Sequence, residues 1–398
     1  MRILMMIHRL ADNSPYCFYV HEQAKALRAQ GHDVTVISCV GTMPMMKALR
    51  PALYETDRRT PKEAVIDGVP VYFPRCLTLG NAGERWLGGW PMYRAALPIA
   101  KALHAQKPFD LLHAHMLPRE GHAGRLLGRA LGLPVALTVH GTDVFHYFIP
   151  GQMPWKRNVE TARRVDALMA VSSLLLSRVA PYRGEGRISR VVQNGVDLSL
   201  VPENEARRPR AVISVGTLKA RKCMDKTLEA FARLADEYGD ATLTIVGIGE
   251  MEQALRARIA ELHLESRVTL TGGLPHEEVL RRMAQSDLFV LPSWGEGYGI
   301  VYIEAMAAGC IAVGAENEGI ADTITDGENG FLVPAGDTDA VERVMRAVFA
   351  HPEAYEALRA RGMRDARELT WAHNAEITAG VYREAMEHWR KEHAQAGH

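Results

Sequence analysis

At 398 residues the chain is long enough for two domains that each bury a core of their own. Lys plus Arg and Asp plus Glu both number 47, so the formal net charge is zero and bulk electrostatics give no reason to expect a nucleic-acid partner. The five cysteines (Cys17, Cys39, Cys76, Cys223 and Cys310) are scattered and form no C-x-x-C, which fits a reducing cytoplasm and argues against a disulfide framework or a structural zinc site.

Ile3 to Ile7 reads as a first buried strand, and the apolar start is too short for a signal sequence. A turn-rich segment follows to Pro15, then a helical pattern from about Phe18 to Gln30, stopped by Gly31, then a strand from Asp33 to Ser38. Strand, helix, glycine and strand make a βαβ unit, which implies a parallel sheet. The loop from Ser14 to Gln23, with Tyr16, leaves the carboxyl end of the first strand, where open α/β sheets bind ligands.

Gly41 to Lys62 is irregular, Met-rich and basic, with Lys47, Arg50, Arg58, Arg59 and Lys62. Val65 to Tyr72 reads as two short strands around an Asp67-Gly68 turn. Trp86 to Tyr93 is aromatic and Gly-rich and leads into a helix ending near Gln106. Two readings stand for the 41–62 and 86–93 regions. One is a peripheral membrane or lipid-acceptor surface, with cations on anionic headgroups and Trp and Met in the interface. The other is an insertion that packs its own apolar residues. No apolar run approaches a membrane span, so the protein is expected in the cytoplasm, soluble or against the inner face of a membrane.

Asp110 to His115 is another strand end, and alternation puts His113 and His115 on one side. With His122 and His140 they make a nominal metal set, but no carboxylate spacing supports it. Histidines near a ligand or satisfied in the core are the expectation. A helix from Gly121 to Leu131 and a strand from Val135 to Val139 lead directly into His140-Gly141-Thr142-Asp143. A neutral imidazole both donates to and accepts from hydroxyls, and Asp143 can orient it or cap the next turn. Phe145 to Trp155 is an aromatic loop. Strands at Ala167 to Val171 and Ile188 to Val192 follow, then the turn Asn194-Gly195-Val196-Asp197 and a polar stretch from Pro202 to Pro209 that reads as the linker.

The second half restarts the rhythm. Strand Ala211 to Val215 runs into Gly216-Thr217-Leu218-Lys219-Ala220-Arg221-Lys222 and a helix to Tyr238. Basic residues between a strand and a helix start suit a diphosphate. Gly247 and Gly249 make a poor dinucleotide fingerprint, and Val268 to Leu274 is a further strand and loop. Leu288 to Leu291 is an apolar strand stopped by Pro292. Glycines at 295, 297 and 299 follow, then a helix from Ile300 closed by Gly309. Strand, Gly-rich turn and helix start make an anion site flanked by two carboxylates, Glu296 on the loop and Glu304 in the helix. Acceptor-only groups on both sides of a diphosphate suit the hydroxyls of the two sugars in a nucleotide-sugar. Short strands at Ile311 to Val313 and Phe331 to Val333, two helices between Asp337 and Leu369, and a long charged helix from Trp371 complete the chain.

Glu296 and Glu304, with Gly-Tyr-Gly between them, resemble the E-x7-E motif of the large retaining glycosyltransferase family of GT-B architecture, often called family 4. His140-Gly141-Thr142-Asp143 resembles the family's H-G-x-D loop, and Asn194 to Asp197 its N-G-V-D turn. Lys222 falls on the family's lysine, but Thr217 stands where the family has arginine and Cys223 where it has glycine. The first loop also departs, with Ser14-Pro15 where many members carry Gly-Gly.

The resemblance implies an α/β GT-B fold, two Rossmann-like parallel-sheet domains facing a cleft. Residues 1–200 would bind the acceptor and 201–370 the nucleotide-sugar, with 371–398 a helix returning to the first domain. It implies a retaining transfer of a hexose-type sugar from a nucleotide-diphosphate sugar, UDP or GDP, to a glycan or lipid-linked acceptor, in bacterial surface polysaccharide synthesis. The donor would meet Lys222 at the diphosphate, Gly216, Gly297, Tyr298 and Gly299 around it, Gly273 and Leu274 at the base, Glu304 at the ribose and Glu296 at the sugar hydroxyls. Arg221 either replaces the missing arginine or points to solvent. His140 would contact the transferred sugar, and Ser14, Tyr16 and Asp143 the acceptor. No Asp-x-Asp precedes the sugar site, so no metal or other cofactor is expected. The alternatives are a nucleotide-sugar epimerase on the same fold and a binding or assembly subunit without transfer.

Overall fold

The computed structural model describes residues 1–8, 18–43, 48, 55, 58–78, 85–202 and 205–395. They form two compact units, Met1–Asn194 with Trp371–His398, and Gly195–Thr370. The break falls within the Asn-Gly-Val-Asp turn and not in the polar stretch that read as a linker. The reason is local: Arg207 pairs with Asp287 at 3.4 Å and the Arg208 N–H donates to the Gln285 carbonyl, which ties that stretch into the second unit.

The first unit is built on a 9-stranded sheet of β1 (Arg2–His8), β2 (Asp33–Thr42), β3 (Glu63–Ile66), β4 (Val69–Tyr72), β5 (Arg75–Leu77), β6 (Leu111–His115), β7 (Val135–Val139), β8 (Ala167–Ala170) and β9 (Ile188–Val191). The order is β3-β4-β2-β1-β6-β7-β8-β9, with β5 beside the end of β2. Every pairing is parallel except the β3–β4 hairpin, whose turn residues Asp67 and Gly68 take the positive φ that such a turn needs. β2 runs past Ser38 to Thr42 because β5 pairs with its tail, Val40 opposite Arg75. β1 and β6 to β8 are buried, as continuous apolar runs in a parallel sheet must be. The helix Trp371–Gln395 belongs to this unit. Its Ala375, Ala379, Tyr382 and Ala385 join Ile3, Met5 and Ile7 in the core.

The second unit carries a 6-stranded sheet of β10 (Ala211–Val215), β11 (Thr242–Val246), β12 (Val268–Leu270), β13 (Leu288–Val290), β14 (Ile311–Ala315) and β15 (Phe331–Val333). The order is β12-β11-β10-β13-β14-β15, and every pair is parallel. Strand order reverses between β10 and β13. In open α/β sheets, loops leaving neighbouring strands at such a point diverge and leave a crevice for a ligand.

Candidate active site

The loops that leave β10 and β13 carry the basic residues and the Gly-rich turn. They are joined main chain to main chain, since the Trp294 N–H donates to the Arg221 carbonyl at 2.9 Å. Gly295 at φ 66 and Gly299 at φ 84 sit in the left-handed region, and the helix Ile300–Ala307 starts directly after Gly299. Below the loop Ser293 Oγ lies 3.0 Å from the Tyr302 hydroxyl, which also donates to the Leu291 carbonyl.

Lys222 Nζ forms an ion pair with Glu296 Oε2, and the two side chains are only 10% and 13% exposed. Arg221 does not simply point to solvent. Its Nη1 donates to the Gly295 carbonyl at 3.2 Å and lies 4.0 Å from Glu296 Oε2. Two cations thus converge on one carboxylate beside a helix start. Glu304, further into that helix, pairs with His276 at 2.8 Å. The loops after β11 and β12 meet at the same sheet edge, where the Gly247 N–H donates to the Gly272 carbonyl at 2.9 Å. Gly273 and Leu274 lie next along that loop, with Gly273 exposed. Gly216 begins the basic loop and donates to the Val246 carbonyl.

Tyr298, expected among the residues around the diphosphate, turns its ring into the core. It is buried, and burial pushes its phenol well above the ordinary range. Gly297 is buried beside it, and Gly295, Glu296 and Gly299 are the partly exposed residues of the turn. One residue of this site was missed in the sequence. Glu318, in the loop after β14, accepts from the Gly295 N–H at 2.9 Å and from the Glu296 N–H at 2.7 Å. Its neighbour Gly319 donates to the Glu296 carbonyl at 3.0 Å, and a Cβ at position 319 would overlap the Gly297 carbonyl oxygen. The available signal was a carboxylate just before a glycine at the same carboxyl edge of the sheet.

In the first unit His140 follows β7, and Gly141 turns the chain at φ 127. Asp143, expected toward an acceptor, is corrected to a loop-building role. It is fully buried and accepts from the N–H groups of Gly141 at 2.8 Å, His140 at 3.0 Å and Leu117 at 3.1 Å. Burial raises its carboxyl, and those bonds oppose the rise. His115 Nδ1 lies 3.1 Å from His140 Nε2, and the Tyr19 ring covers His140 at 4.3 Å. His113 sits between the Thr138 hydroxyl at 2.8 Å and the Tyr382 hydroxyl at 2.6 Å. Burial pushes His113 and His140 down to about 3 and His115 well below its usual value, so all are neutral imidazoles at pH 7. Two neutral rings share one hydrogen at the His115–His140 contact, so the tautomer of either ring fixes that of the other. His122 stands apart, accepting from the Gly89 N–H at 3.1 Å. Among the described residues no group of three or more His, Cys, Asp or Glu side chains is placed to hold a metal ion. Ser14 and Tyr16 lie outside the described residues.

The family described as "Glycosyl transferases group 1" matches residues 199–365, and that described as "Glycosyltransferase Family 4" matches residues 18–200. The chain is 28% identical over 385 residues to a glycogen synthase of Mycobacterium tuberculosis, covering 92% of this chain and 89% of the relative. It is 27% identical over 308 residues to the amylovoran biosynthesis glycosyltransferase AmsK of Erwinia amylovora, covering 73% and 74%. Among solved structures, Anabaena Alr3699/HepE in complex with UDP-glucose superposes with a TM-score of 0.71 at 18% identity, over 96% of this chain and 99% of that one.

Proposed function

The chain belongs to the GT-B glycosyltransferases, with matches that between them run from residue 18 to residue 365, and from that premise we propose a retaining, metal-independent hexosyltransferase that uses a nucleotide-diphosphate sugar. The observation that carries this reading is the Lys222–Glu296 pair, with Arg221 beside it, on two loops joined at the point where strand order reverses. Lys222 and Arg221 take the charge that develops on the leaving diphosphate, and the N–H groups at the start of Ile300–Ala307 add to them. Glu296 holds hydroxyls of the transferred sugar and Glu304 those of the ribose. The acceptor oxygen forms its bond to C1 as the bond from C1 to the diphosphate breaks, and a diphosphate oxygen takes the acceptor proton.

Thermal stability with UDP, GDP and ADP, each with and without EDTA, tests the donor site. A ligand of the folded state raises the melting temperature by mass action, by about 2.7 kcal/mol of stability at a hundredfold excess over Kd. A rise with one nucleotide, unchanged by EDTA and lost in Lys222→Ala, is the expected result. No rise with any of them overturns the reading.

The acceptor we propose is a lipid-linked glycan, in surface polysaccharide synthesis, met at a membrane surface. Supporting this are Trp86 and Trp90, 72% and 51% exposed, and the helix Trp90–Gln106, which carries Arg94 and Lys101 but no acidic residue. The Arg94 guanidinium lies 5.7 Å from the Trp90 ring centroid. Arg58, Arg59 and Lys62 are exposed, while Lys47 and Arg50 lie outside the described residues. No described helix is long and apolar enough to cross a membrane. Co-sedimentation with vesicles containing phosphatidylglycerol is expected, with weaker binding to phosphatidylcholine alone. Trp86→Ser with Trp90→Ser should reduce it roughly tenfold. Equal recovery with and without vesicles would remove the membrane from the proposal.

A further inference from the structure

Glu296 is held at both its amide groups by one short segment. Its N–H and that of Gly295 run back to the two carboxylate oxygens of Glu318, at 2.7 and 2.9 Å. Its carbonyl accepts from the N–H of Gly319 at 3.0 Å. Gly295 at φ 66 is what lets two successive N–H groups converge on one anion. Gly319 packs so closely on Gly297 that no side chain fits there, which sets the depth at which the segment lies under the turn.

We propose that Glu318 is a positioning residue that fixes the backbone of Glu296, and so the direction from which the Glu296 carboxylate meets first Lys222 and then the sugar. This rests on the donor-site reading. The geometry suits a carboxylate, because the two N–H groups each meet their own oxygen of Glu318. Glutamine has one acceptor and would turn an NH2 group toward an N–H. Glu318 touches no reacting atom and acts through the Gly295–Glu296 backbone, so its loss should slow sugar transfer while leaving the nucleoside diphosphate bound at least as well, because a misplaced Glu296 carboxylate competes less for Lys222.

Glu318→Gln and Glu318→Ala, each alone and with Glu296→Gln, provide the test. Hydrogen exchange of the Gly295 and Glu296 amides reads the clamp without any ligand. Protection should fall in both variants, and unchanged protection would overturn the proposal. Transfer from the nucleotide-sugar should fall roughly a hundredfold in Glu318→Ala, the scale of a 1 Å misplacement, and less in Glu318→Gln. The Kd for the nucleoside diphosphate that raises the melting temperature should not rise, and should fall by no more than the roughly tenfold expected of Glu296→Gln. In the Glu296→Gln background, loss of Glu318 should weaken nucleotide-sugar binding no further. Wild-type transfer by Glu318→Ala, or a full extra loss in that background, would overturn the role. If no nucleotide binds even the unaltered protein, it is the donor site that fails, and hydrogen exchange alone decides the clamp.

Discussion

Glu296→Gln is expected to bind a nucleoside diphosphate more tightly than the unaltered protein does, while losing sugar transfer. The Lys222 ammonium is already paired with Glu296, and both groups lie mostly out of water. A diphosphate that uses Lys222 must displace that carboxylate. Two unit charges at 4 Å interact by about 4 kcal/mol at an effective dielectric of 20, and most of that is recovered when phosphate replaces carboxylate. Removing the competing charge while keeping the side chain's shape should leave a net gain of about 1.4 kcal/mol, a tenfold lower Kd. The nucleotide-sugar should respond in the opposite direction. Once displaced, Glu296 is free to accept from sugar hydroxyls, and each hydrogen bond to a charged group contributes about 1.5–3 kcal/mol. Losing two of them slows transfer roughly a hundred- to ten-thousand-fold. Titration calorimetry with the nucleoside diphosphate and a transfer assay, run side by side, separate the two effects. Weaker diphosphate binding in step with lost transfer would show that Glu296 helps to hold the diphosphate and does not compete for Lys222.

The Gly-rich turn and its carboxylate were legible because their pieces are contiguous. A strand, a Gly turn, a carboxylate and a helix start fall within Leu288 to Ala307, and the chain must build them together. The parallel sheets were legible for the same reason, as short apolar runs separated by helical patterns. Glu318 was not, because its partners are main-chain N–H groups 22 and 23 residues earlier, and no residue type advertises a carboxylate as a main-chain acceptor. Asp143 shows the ambiguity in one residue. An acceptor-only group just past a strand can face a ligand or fold its own loop, and three N–H donors decide for the loop. Tyr298 lies between two glycines, and loops have no periodicity to say which way a ring turns. Alternation did put His113 and His115 on one side, and their rings lie 4.0 Å apart. The hydroxyl that completes His113 comes from Tyr382, 269 residues away, beyond the reach of any local pattern.

Those histidines lead to a second large effect, on stability. The first unit should lose about 4 kcal/mol between pH 7.5 and pH 5.0 from His113 and His140 alone, about 2 kcal/mol from each. In the folded chain burial holds both down to about 3, against 6.5 for an ordinary histidine. As pH falls below 6.5 the unfolded chain binds protons at these positions and the folded chain does not. Stability is therefore complete above 6.5 and drains away as pH falls toward 3. The local geometry explains why the folded state refuses the proton. His113 is sealed between two hydroxyls, and a charge on His115 or His140 would sit against a second imidazole 3.1 Å away. His115, held well below its usual value by burial and by His113 and His140, pushes in the same direction. For a unit of this size 4 kcal/mol corresponds to a fall of about 10 °C in melting temperature. Calorimetric melts every half pH unit would measure it. Glutamine keeps a donor and an acceptor but does not titrate in this range, so His113→Gln combined with His140→Gln should melt lower at pH 7.5 yet with a much flatter pH dependence. A melting temperature in the unaltered protein that stays level from pH 7.5 to 5.0 would mean that these rings are hydrated or already charged, and the neutral imidazole assigned to His140 would go with them.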